Sequence, residues 1–344
     1  MTARPESEPP REPDEGAEQA VVRIASEPPH ALAPEWMALH SRSAAATPFN
    51  HPAWHQAWLR HYGSECAPVF LAVRDGGDLV GVVVVDAGPD SVRLLGDHEV
   101  CDYAGPPIAD GRGREVVEAL LDWLDADLTS DAVFWGQREG DEFLAALRTA
   151  APLNGWTVAE EHEANSPAVR LSGSWDDYLA SLSKHDRHEL RRKLRKLEEA
   201  GTVTYRTIAD VSTVVAAMPA FLDMMRASRE VKAAFLTADR EAFFMDLGPA
   251  FAATGLMRLG LLAVDGVDVA MLFTFEDAET VYLYNSGYDP AYRTVSAGLL
   301  SKAFALRDAI GRGKRTFDFL RGDEAYKRHL GGQPREVVRV RIRR

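Results

Sequence analysis

Apolar residues recur along the chain at two spacings, and polar turns separate the segments that carry them. In the first half, alternating or continuous apolar runs bounded by turn residues predict strands, and apolar residues three or four apart predict helices. The strands are predicted at residues 21–24, 69–73, 79–85, 92–95, 132–136 and 156–160, and the helices at 34–40, 53–62, 114–124 and 141–150. Elements mixed in this order are typical of an α/β or α+β domain.

The second half has a similar order of elements. Its predicted helices are 175–182, 186–200, 211–229, 239–254, 297–310 and 324–329, and its predicted strands are 203–208, 257–264, 267–275, 280–285, 315–319 and 337–342. Pro219 and Pro249 are expected to interrupt two of the helices. The shared order predicts tandem domains, at residues 21–165 and 166–344, each with a mixed and mostly antiparallel sheet flanked by helices.

Composition limits the class of protein. The 344 residues are 46% hydrophobic and 26% charged, which allows a large core, and residues 1–20 are Pro-rich and acidic, which predicts a disordered tail. The net charge of -13 argues against a general nucleic-acid binder, so no DNA partner is expected. Two cysteines and scattered histidines predict neither a disulfide framework nor a metal site. No apolar run approaches the length of a membrane span, and a cytoplasmic location is expected.

Residues 293–299, RTVSAGL, form a polar turn directly before a predicted helix. The start of a helix presents N–H groups that lack partners in the helix, together with the positive end of its dipole, and both favour a phosphate. The candidate ligand-binding residues are Arg293, Ser296, Ala297, Gly298 and Leu299 of this turn, together with Asn285, Ser286 and Gly287 at the end of the preceding strand. A purely structural alternative is that Ser296 caps the helix.

A second group of candidates surrounds the segment FDFLRGDEAYK. Tyr326 and Lys327 can each donate a proton or stabilise negative charge, although an aromatic packed at a junction and a solvated lysine explain them equally well. Asp318 could act as a general base near the strand end, or form an ion pair with Arg321.

A basic helix earlier in the chain is a third candidate. Its residues Lys184, Arg187 and Arg191 share one face that could hold a phosphate, whereas a solvated surface is the common explanation for such a helix.

Several of these segments resemble GNAT acyltransferases of the cellulose-biosynthesis (CelD-like) type, which are related to FemAB-type peptidyltransferases. The resemblance lies in residues 184–201 (KHDRHELRRKLRKLEEAG), 284–298 (YNSGYDPAYRTVSAG), 313–322 (GKRTFDFLRG) and 323–332 (DEAYKRHLGG). Residues 47–58 (TPFNHPAWHQAW) and 94–107 (LLGDHEVCDYAGPP) are similar to the first half of the same proteins. In the GNAT turn R/Q-x-x-G-x-G/A, Ser296 replaces the first glycine, and a side chain there narrows the backbone's approach to a phosphate.

The resemblance implies transfer of an acetyl or other acyl group from acyl-CoA to an amine of an amino sugar, amino acid or peptide. It implies a role in envelope or polysaccharide metabolism. The turn would bind the carrier, amides near Asn285–Gly287 would polarise the carbonyl, and Tyr326 or Lys327 would assist the leaving group. Asp289, Asp318 or a water would take the amine proton, and Asp102, Tyr103 and Arg321 would contact the acceptor. Two alternatives stay open: a FemAB-type transferase that uses aminoacyl-tRNA, and a GNAT-like binding module without catalysis.

Overall fold

The computed structural model of the protein describes residues 22–344 except 90, 128–130 and 172, so the predicted tail at 1–20 lies outside the described residues. The strands are β1 Val22–Ser26, β2 Pro68–Asp75, β3 Asp78–Ala87, β4 Val92–Leu94, β5 Asp131–Arg138, β6 Thr157–Asn165, β7 Ala168–Arg170, β8 Val203–Ile208, β9 Met257–Val264, β10 Val267–Glu276, β11 Thr280–Tyr288, β12 Thr316–Asp318 and β13 Glu336–Arg343. The helices are α1 Pro29–His40, α2 Pro52–Tyr62, α3 Gly113–Asp127, α4 Glu142–Leu153, α5 Trp175–Ser181, α6 Lys184–Glu198, α7 Val211–Ser228, α8 Glu230–Phe235, α9 Ala238–Thr254, α10 Ala297–Gly311 and α11 Ala325–His329.

The strands form two sheets with matching topology. The first has the order β1-β2-β3-β4-β5-β13-β6, and the second has the order β7-β12-β11-β10-β9-β8. In each sheet four strands that follow one another along the chain pair antiparallel, and a helix then leads to a parallel neighbour, β5 beside β4 and β12 beside β11. The predicted fold class, two mixed and mostly antiparallel sheets flanked by helices, is confirmed.

The last strand lies in the first sheet, although it was expected to belong to the second half. β13 pairs antiparallel with both β5 and β6. Its arginines meet acidic residues of these neighbours: Arg339 contacts Glu163 at 2.8 Å, and Arg341 contacts Asp131 at 2.7 Å. The alternation of charge predicted a half-buried strand correctly, but a strand's own pattern does not identify partners about 170 residues away.

Two prolines lie inside helices that they were expected to interrupt. Pro219 lies within α7 and Pro249 within α9. A proline removes one hydrogen bond to the carbonyl four residues earlier. Those earlier residues, Val215 and Met245, are exposed, so water can satisfy the freed carbonyls and both helices continue. The short helix α8, which follows α7 after Arg229, was not predicted.

The two halves share an aromatic core. Phe49 and Trp54 of the first half lie 6.2 and 6.1 Å from Phe275 of β10, measured between ring centroids. Tyr284 of β11 packs in the same cluster, with its ring centroid 5.1 Å from that of Phe275, and donates a hydrogen bond to the Val100 carbonyl at 2.9 Å. These buried contacts hold the open end of β11 against the first half, where the candidate site lies.

Candidate functional site

The outer edge of β11 is open at its end. The strand pairs with β10 as far as Tyr288, but with β12 only as far as Tyr282. From residue 283 onward, no strand in the described ranges pairs with this edge. Backbone groups at such a divergence of strands are available to a ligand or to side chains.

Two lysine side chains donate hydrogen bonds to polar groups at this edge. Lys232 of α8 donates to Asn285 Oδ1 at 2.9 Å and also to the Ser286 carbonyl. Lys302 of α10 donates to Ser286 Oγ at 2.9 Å and to the Gly298 carbonyl at 2.7 Å. The Ser286 N–H donates to Asn285 Oδ1 at 2.9 Å. Of the strand-end amides predicted to polarise a carbonyl, the Ser286 N–H therefore already has a partner.

The packing of α7 on β11 requires a glycine at position 287. A Cβ there would lie 2.3 Å from the backbone nitrogen of Met225 in α7, so only glycine allows α7 to pack this closely on β11.

The 293–299 turn follows β11 through a 3-10 helix, Pro290–Val295. Ser296 is left-handed, with φ 61° and ψ 33°, and its side chain makes no capping hydrogen bond, so the expected serine cap is absent from this described turn. Its hydroxyl instead lies 3.4 Å from Lys193 Nζ. Ala297 is fully buried in the core, and a Cβ on Gly298 would lie 2.6 Å from the Tyr288 ring.

Three adjoining cavities meet at this place. The turn cavity, of about 270 Å³, is bordered by Arg293, Ser296, Gly298, Leu299 and Lys302. The interface cavity, of about 280 Å³, lies between the halves and is bordered by Asp102, Tyr284, Leu320, Arg321 and Lys327. The side cavity, of about 500 Å³, is bordered by Leu190, Lys193, Leu299, His329 and Leu330. The turn and interface cavities share Lys232, Ser286, Glu324 and Tyr326.

Tyr326 borders all three cavities. Its ring packs edge-on to Phe319, and Lys302 Nζ lies 5.4 Å from the ring centroid. Burial, with a smaller contribution from the nearby Glu324 carboxylate, raises the pKa of the Tyr326 phenol. The phenol is therefore protonated at neutral pH and can donate its proton.

Lys327, the neighbour of Tyr326, is only 2% exposed and stabilises a loop. Its Nζ donates to the carbonyls of Leu320 and Arg321 at 2.9 and 2.6 Å and pairs with Glu324 at 3.0 Å. Leu320 has a left-handed φ of 58°, which this clamp helps to hold. All three N–H groups of the ammonium thus have partners within the protein.

Asp318 lies in a buried network between the halves. It is 1% exposed, pairs with Arg335, and accepts hydrogen bonds from the Leu320 N–H at 2.8 Å and the Tyr103 hydroxyl at 3.0 Å. Tyr103 also contacts Ser166. Neither Asp318 nor Tyr103 borders the three cavities, so the structure places both away from the predicted chemistry.

Asp102 and Arg321 form the ion pair that borders the interface cavity, at 3.1 Å. Asp318 was expected as a possible partner of Arg321, but Asp102 of the first half takes that place. Burial raises the pKa of Asp102, and the Arg321 guanidinium opposes the rise. Arg321 also donates to the Cys101 carbonyl at 2.8 Å, which ties the two halves together at the cavity wall. Asp289 caps the 3-10 helix by accepting from the Ala291 N–H at 2.9 Å.

The basic helix α6 faces the turn with different residues from those predicted. Lys184 and Arg191 are exposed, and Arg187 donates to the Ala180 carbonyl at 3.1 Å. The contacts to the turn come from Lys193 and from Lys196, which donates to the Thr294 carbonyl at 2.9 Å.

Sequence reasoning missed Arg229, Lys232 and Lys302, which border the turn cavity. Burial, with Arg229 nearby, lowers the pKa of Lys232 to about 8, and burial together with Lys232 and Arg229 lowers the pKa of Lys302 well below its usual range. One signal for Lys302 was available, because it lies four residues after Gly298 and so on the same helix face. Lys232 lies in α8, which has 6 residues and is too short to show a helical spacing of apolar residues.

The described residues offer neither a metal site nor a membrane span. No group of three or more His, Cys, Asp or Glu side chains is arranged to hold a metal ion. None of the described helices is long and apolar enough to cross a membrane.

Comparison with known proteins identifies a domain family for part of the chain. Residues 184–328 match the family model of the acetyltransferase (GNAT) domain. The crystal structure of FemX is similar to the whole fold, with 13% identity and a TM-score of 0.65 over 92% of this chain and 96% of that chain. A conserved protein of unknown function from Bacteroides thetaiotaomicron VPI-5482 is 12% identical, with a TM-score of 0.62 over 94% and 100% of the two chains. At these identities the likeness concerns the fold. Among curated proteins, none matches this sequence.

Proposed function

We propose that this chain, whose residues 184–328 match the GNAT domain, transfers an acyl group from acyl-CoA to an amine of an amino sugar, amino acid or peptide. One observation carries the proposal: the open edge of β11, the 293–299 turn and the Tyr326 phenol border a single cavity. A role in the envelope or in polysaccharide metabolism, of the CelD-like type, remains part of the same prediction.

The turn cavity is the proposed carrier site. The first turn of α10 offers N–H groups to a pyrophosphate, and the exposed Arg293 adds positive charge beside it. The thioester would lie along β11 near Ser286. Because Lys232 and Lys302 occupy the polar groups there, the incoming carrier has to exchange these contacts for its own.

The acceptor would enter from the interface cavity, which meets the turn cavity at Tyr326 and Ser286. A neutral amine attacks the thioester carbonyl carbon, and the C–S bond then breaks. The Tyr326 phenol, which is protonated at neutral pH, donates its proton to the departing thiolate. Glu324, which borders both cavities, would receive the amine proton, directly or through water.

The direct test is calorimetric titration with acetyl-CoA. Arg293→Glu should weaken binding at least about tenfold, because a charged contact is reversed at the mouth of the site. Arg195→Glu is the matched control, since Arg195 is also exposed but borders none of the three cavities. Absence of saturable binding would reject acyl-CoA as donor and favour aminoacyl-tRNA, for which a charged-tRNA transfer assay is the next test.

Tyr326→Phe tests the chemistry. Thiol release from acetyl-CoA, measured with a panel of amino sugars and peptides, should slow roughly 100-fold or more while acetyl-CoA affinity stays the same. Binding without thiol release for any acceptor in the panel, and without change in Tyr326→Phe, would support the non-catalytic alternative instead.

A further inference from the structure

We infer that Ser286 and Lys302 form a nucleophile–base pair, through which the protein hydrolyses acyl thioesters and activated esters by way of an acyl-serine. This activity goes beyond the proposed function, because Ser286 attacks the carbonyl first and water then takes the acyl group. It shares with the proposed function only the cavities in which the acyl group lies, so the two activities can be tested apart.

The two reacting side chains lie within hydrogen-bond reach of each other. Lys302 Nζ of α10 lies 2.9 Å from Ser286 Oγ of β11, and it also donates to the Gly298 carbonyl at 2.7 Å. Nucleophilic catalysis by serine requires a nucleophile, a base that contacts it and a third group that orients the base. Ser286, Lys302 and the Gly298 carbonyl supply these three parts, and lysine serves as the base in one variant of the serine arrangement.

The recorded partners of Lys302 suit the neutral amine that a base has to be. The Gly298 carbonyl accepts one of its N–H groups, and the Ser286 hydroxyl can donate to the lone pair of the nitrogen. Within the described residues Lys302 forms no ion pair, and its side chain is only 6% exposed. No carboxylate therefore holds the proton on this lysine.

The charged groups around Lys302 favour the same neutral state. Burial, together with the nearby cations Lys232 and Arg229, lowers the pKa of Lys302 well below its usual range. Lys327 acts in the same direction with a smaller effect, and Glu324 opposes it. A larger fraction of Lys302 than of an ordinary lysine is therefore able to accept the Ser286 proton.

Lys232 places a second nitrogen beside the same oxygen. Its Nζ lies 3.4 Å from Ser286 Oγ and donates to Asn285 Oδ1 at 2.9 Å. Two neighbouring ammonium groups oppose each other's protonation, so one charged and one neutral lysine is the favoured state. Burial lowers the pKa of Lys232 only to about 8, so Lys232 is mostly charged at pH 7.5. Its charge would stabilise the oxyanion that forms when Ser286 attacks.

Ser286 is accessible from two sides. It borders both the turn cavity and the interface cavity. It also lies on the edge of β11 beyond Tyr282, where β12 no longer pairs with the strand. An acyl group can therefore reach Oγ from the turn cavity, and water can reach it from the interface cavity.

The reaction consists of two balanced transfers. In the first, Lys302 Nζ takes the Ser286 hydroxyl proton, Oγ bonds to the thioester carbonyl carbon, the C–S bond breaks, and Nζ passes the proton to the thiolate. In the second, Nζ takes a proton from water, the water oxygen bonds to the same carbon, the C–Oγ bond breaks, and the proton returns to Oγ. The products are a thiol and a carboxylic acid. An amine in the interface cavity would compete with Ser286 for the same carbonyl.

The experiment is hydrolysis of p-nitrophenyl acetate, an activated ester that needs no carrier site, followed by the release of p-nitrophenol. Wild type, Ser286→Ala, Lys302→Met and the control Ser301→Ala are compared, and circular dichroism establishes that each is folded. Ser301 is the matched control, because it also lies on α10 and donates to the Gly298 carbonyl, at 3.1 Å, but borders none of the three cavities.

We expect hydrolysis at least about 100-fold slower in Ser286→Ala and in Lys302→Met, and an unchanged rate in the control. Acid quench of the wild type followed by peptide mass spectrometry should find the acetyl group on Ser286. This second measurement tests the inference even where a variant fails to fold.

Three results would overturn the inference: no hydrolysis above the uncatalysed rate, hydrolysis that survives Ser286→Ala, or an acetyl group on Lys232 in place of Ser286. Loss of activity in Ser286→Ala but not in Lys302→Met would overturn the assignment of the base.

Acetyl-CoA with the amine panel separates this inference from the proposed function. If amines are acylated equally fast by wild type and Ser286→Ala while the ester is not hydrolysed, the inference fails and the proposed function stands. If the ester is hydrolysed through Ser286 and no amine is acylated, the inference stands and the proposed function fails.

Discussion

Buried charges are matched in one region of the molecule and unmatched in another. Between the halves, Asp318 pairs with Arg335 and Asp102 pairs with Arg321, so each buried carboxylate has a guanidinium. At the turn cavity, Lys232 and Lys302 both contact the Ser286 hydroxyl, and neither forms an ion pair among the described residues.

The difference separates charged groups that are neutralised within the protein from charged groups that form no ion pair among the described residues. A matched pair is satisfied within the protein, and removing one partner leaves an uncompensated charge. An unmatched cluster is unfavourable by itself and becomes favourable when an anion binds. Asp318 and Lys327, both candidates for chemistry on sequence grounds, belong with the matched groups.

Breaking the matched network should have the largest effect on stability. Asp318→Asn leaves the partly exposed Arg335 without its buried carboxylate and weakens the hydrogen bonds from Tyr103 and Leu320. We expect a loss of about 3 kcal/mol in the free energy of unfolding, measured by urea denaturation. A loss below about 1 kcal/mol would mean that this network does not hold the halves together.

The lowered pKa of Lys232 should make the free energy of unfolding depend on pH. The pKa of Lys232 is about 8 in the folded protein and 10.5 ordinarily, so between these values the unfolded chain binds more protons. Stability of the wild type relative to Lys232→Met should therefore rise with pH across that window, by on the order of 2 kcal/mol. Urea denaturation of both proteins at pH 7.5 and pH 10 measures this; a constant difference between them would contradict a depressed pKa.

Removing a cation from the cluster should have a small effect of opposite sign to that of Asp318→Asn. Lys302→Met deletes a buried charge and keeps much of the side-chain volume, so the free energy of unfolding should stay the same or rise by about 1 kcal/mol. Thermal unfolding without ligand is the measurement. A large loss of stability would place Lys302 with the structural groups and end the contrast between the regions.

The smallest effect is expected at an exposed matched pair. Arg206 and Asp268 lie 2.7 Å apart with side chains 51% and 30% exposed. Asp268→Asn should change the free energy of unfolding by less than about 0.5 kcal/mol, because solvent screens such pairs. The same urea series measures it, and this variant serves as the control for Asp318→Asn. A loss as large as that of Asp318→Asn would show that burial is not what distinguishes the pairs.

The sequence predicted local structure well and charge pairing poorly. β8 and β9 begin and end where the apolar pattern placed them, because that pattern is local. The 293–299 turn was found because its residue types and position before a helix are local too. Lys193, Lys232 and Lys302 were not among the predicted residues, because their positions at the site depend on which elements fold against one another. Asp318 looked reactive because its partner Arg335 lies beyond the next helix.

The position of β13 has a consequence for how the chain is synthesised. β5 and β6 are synthesised before β13, the strand that lies between them in the sheet. β13 follows β6 by roughly 170 residues, which corresponds to about 10–35 s of synthesis. During that interval one edge of β5 and one edge of β6 lack their partner strand, and strands of other chains can pair with them. The three glutamates of β6, Glu160, Glu161 and Glu163, would repel copies of the same strand until the arginines of β13 arrive.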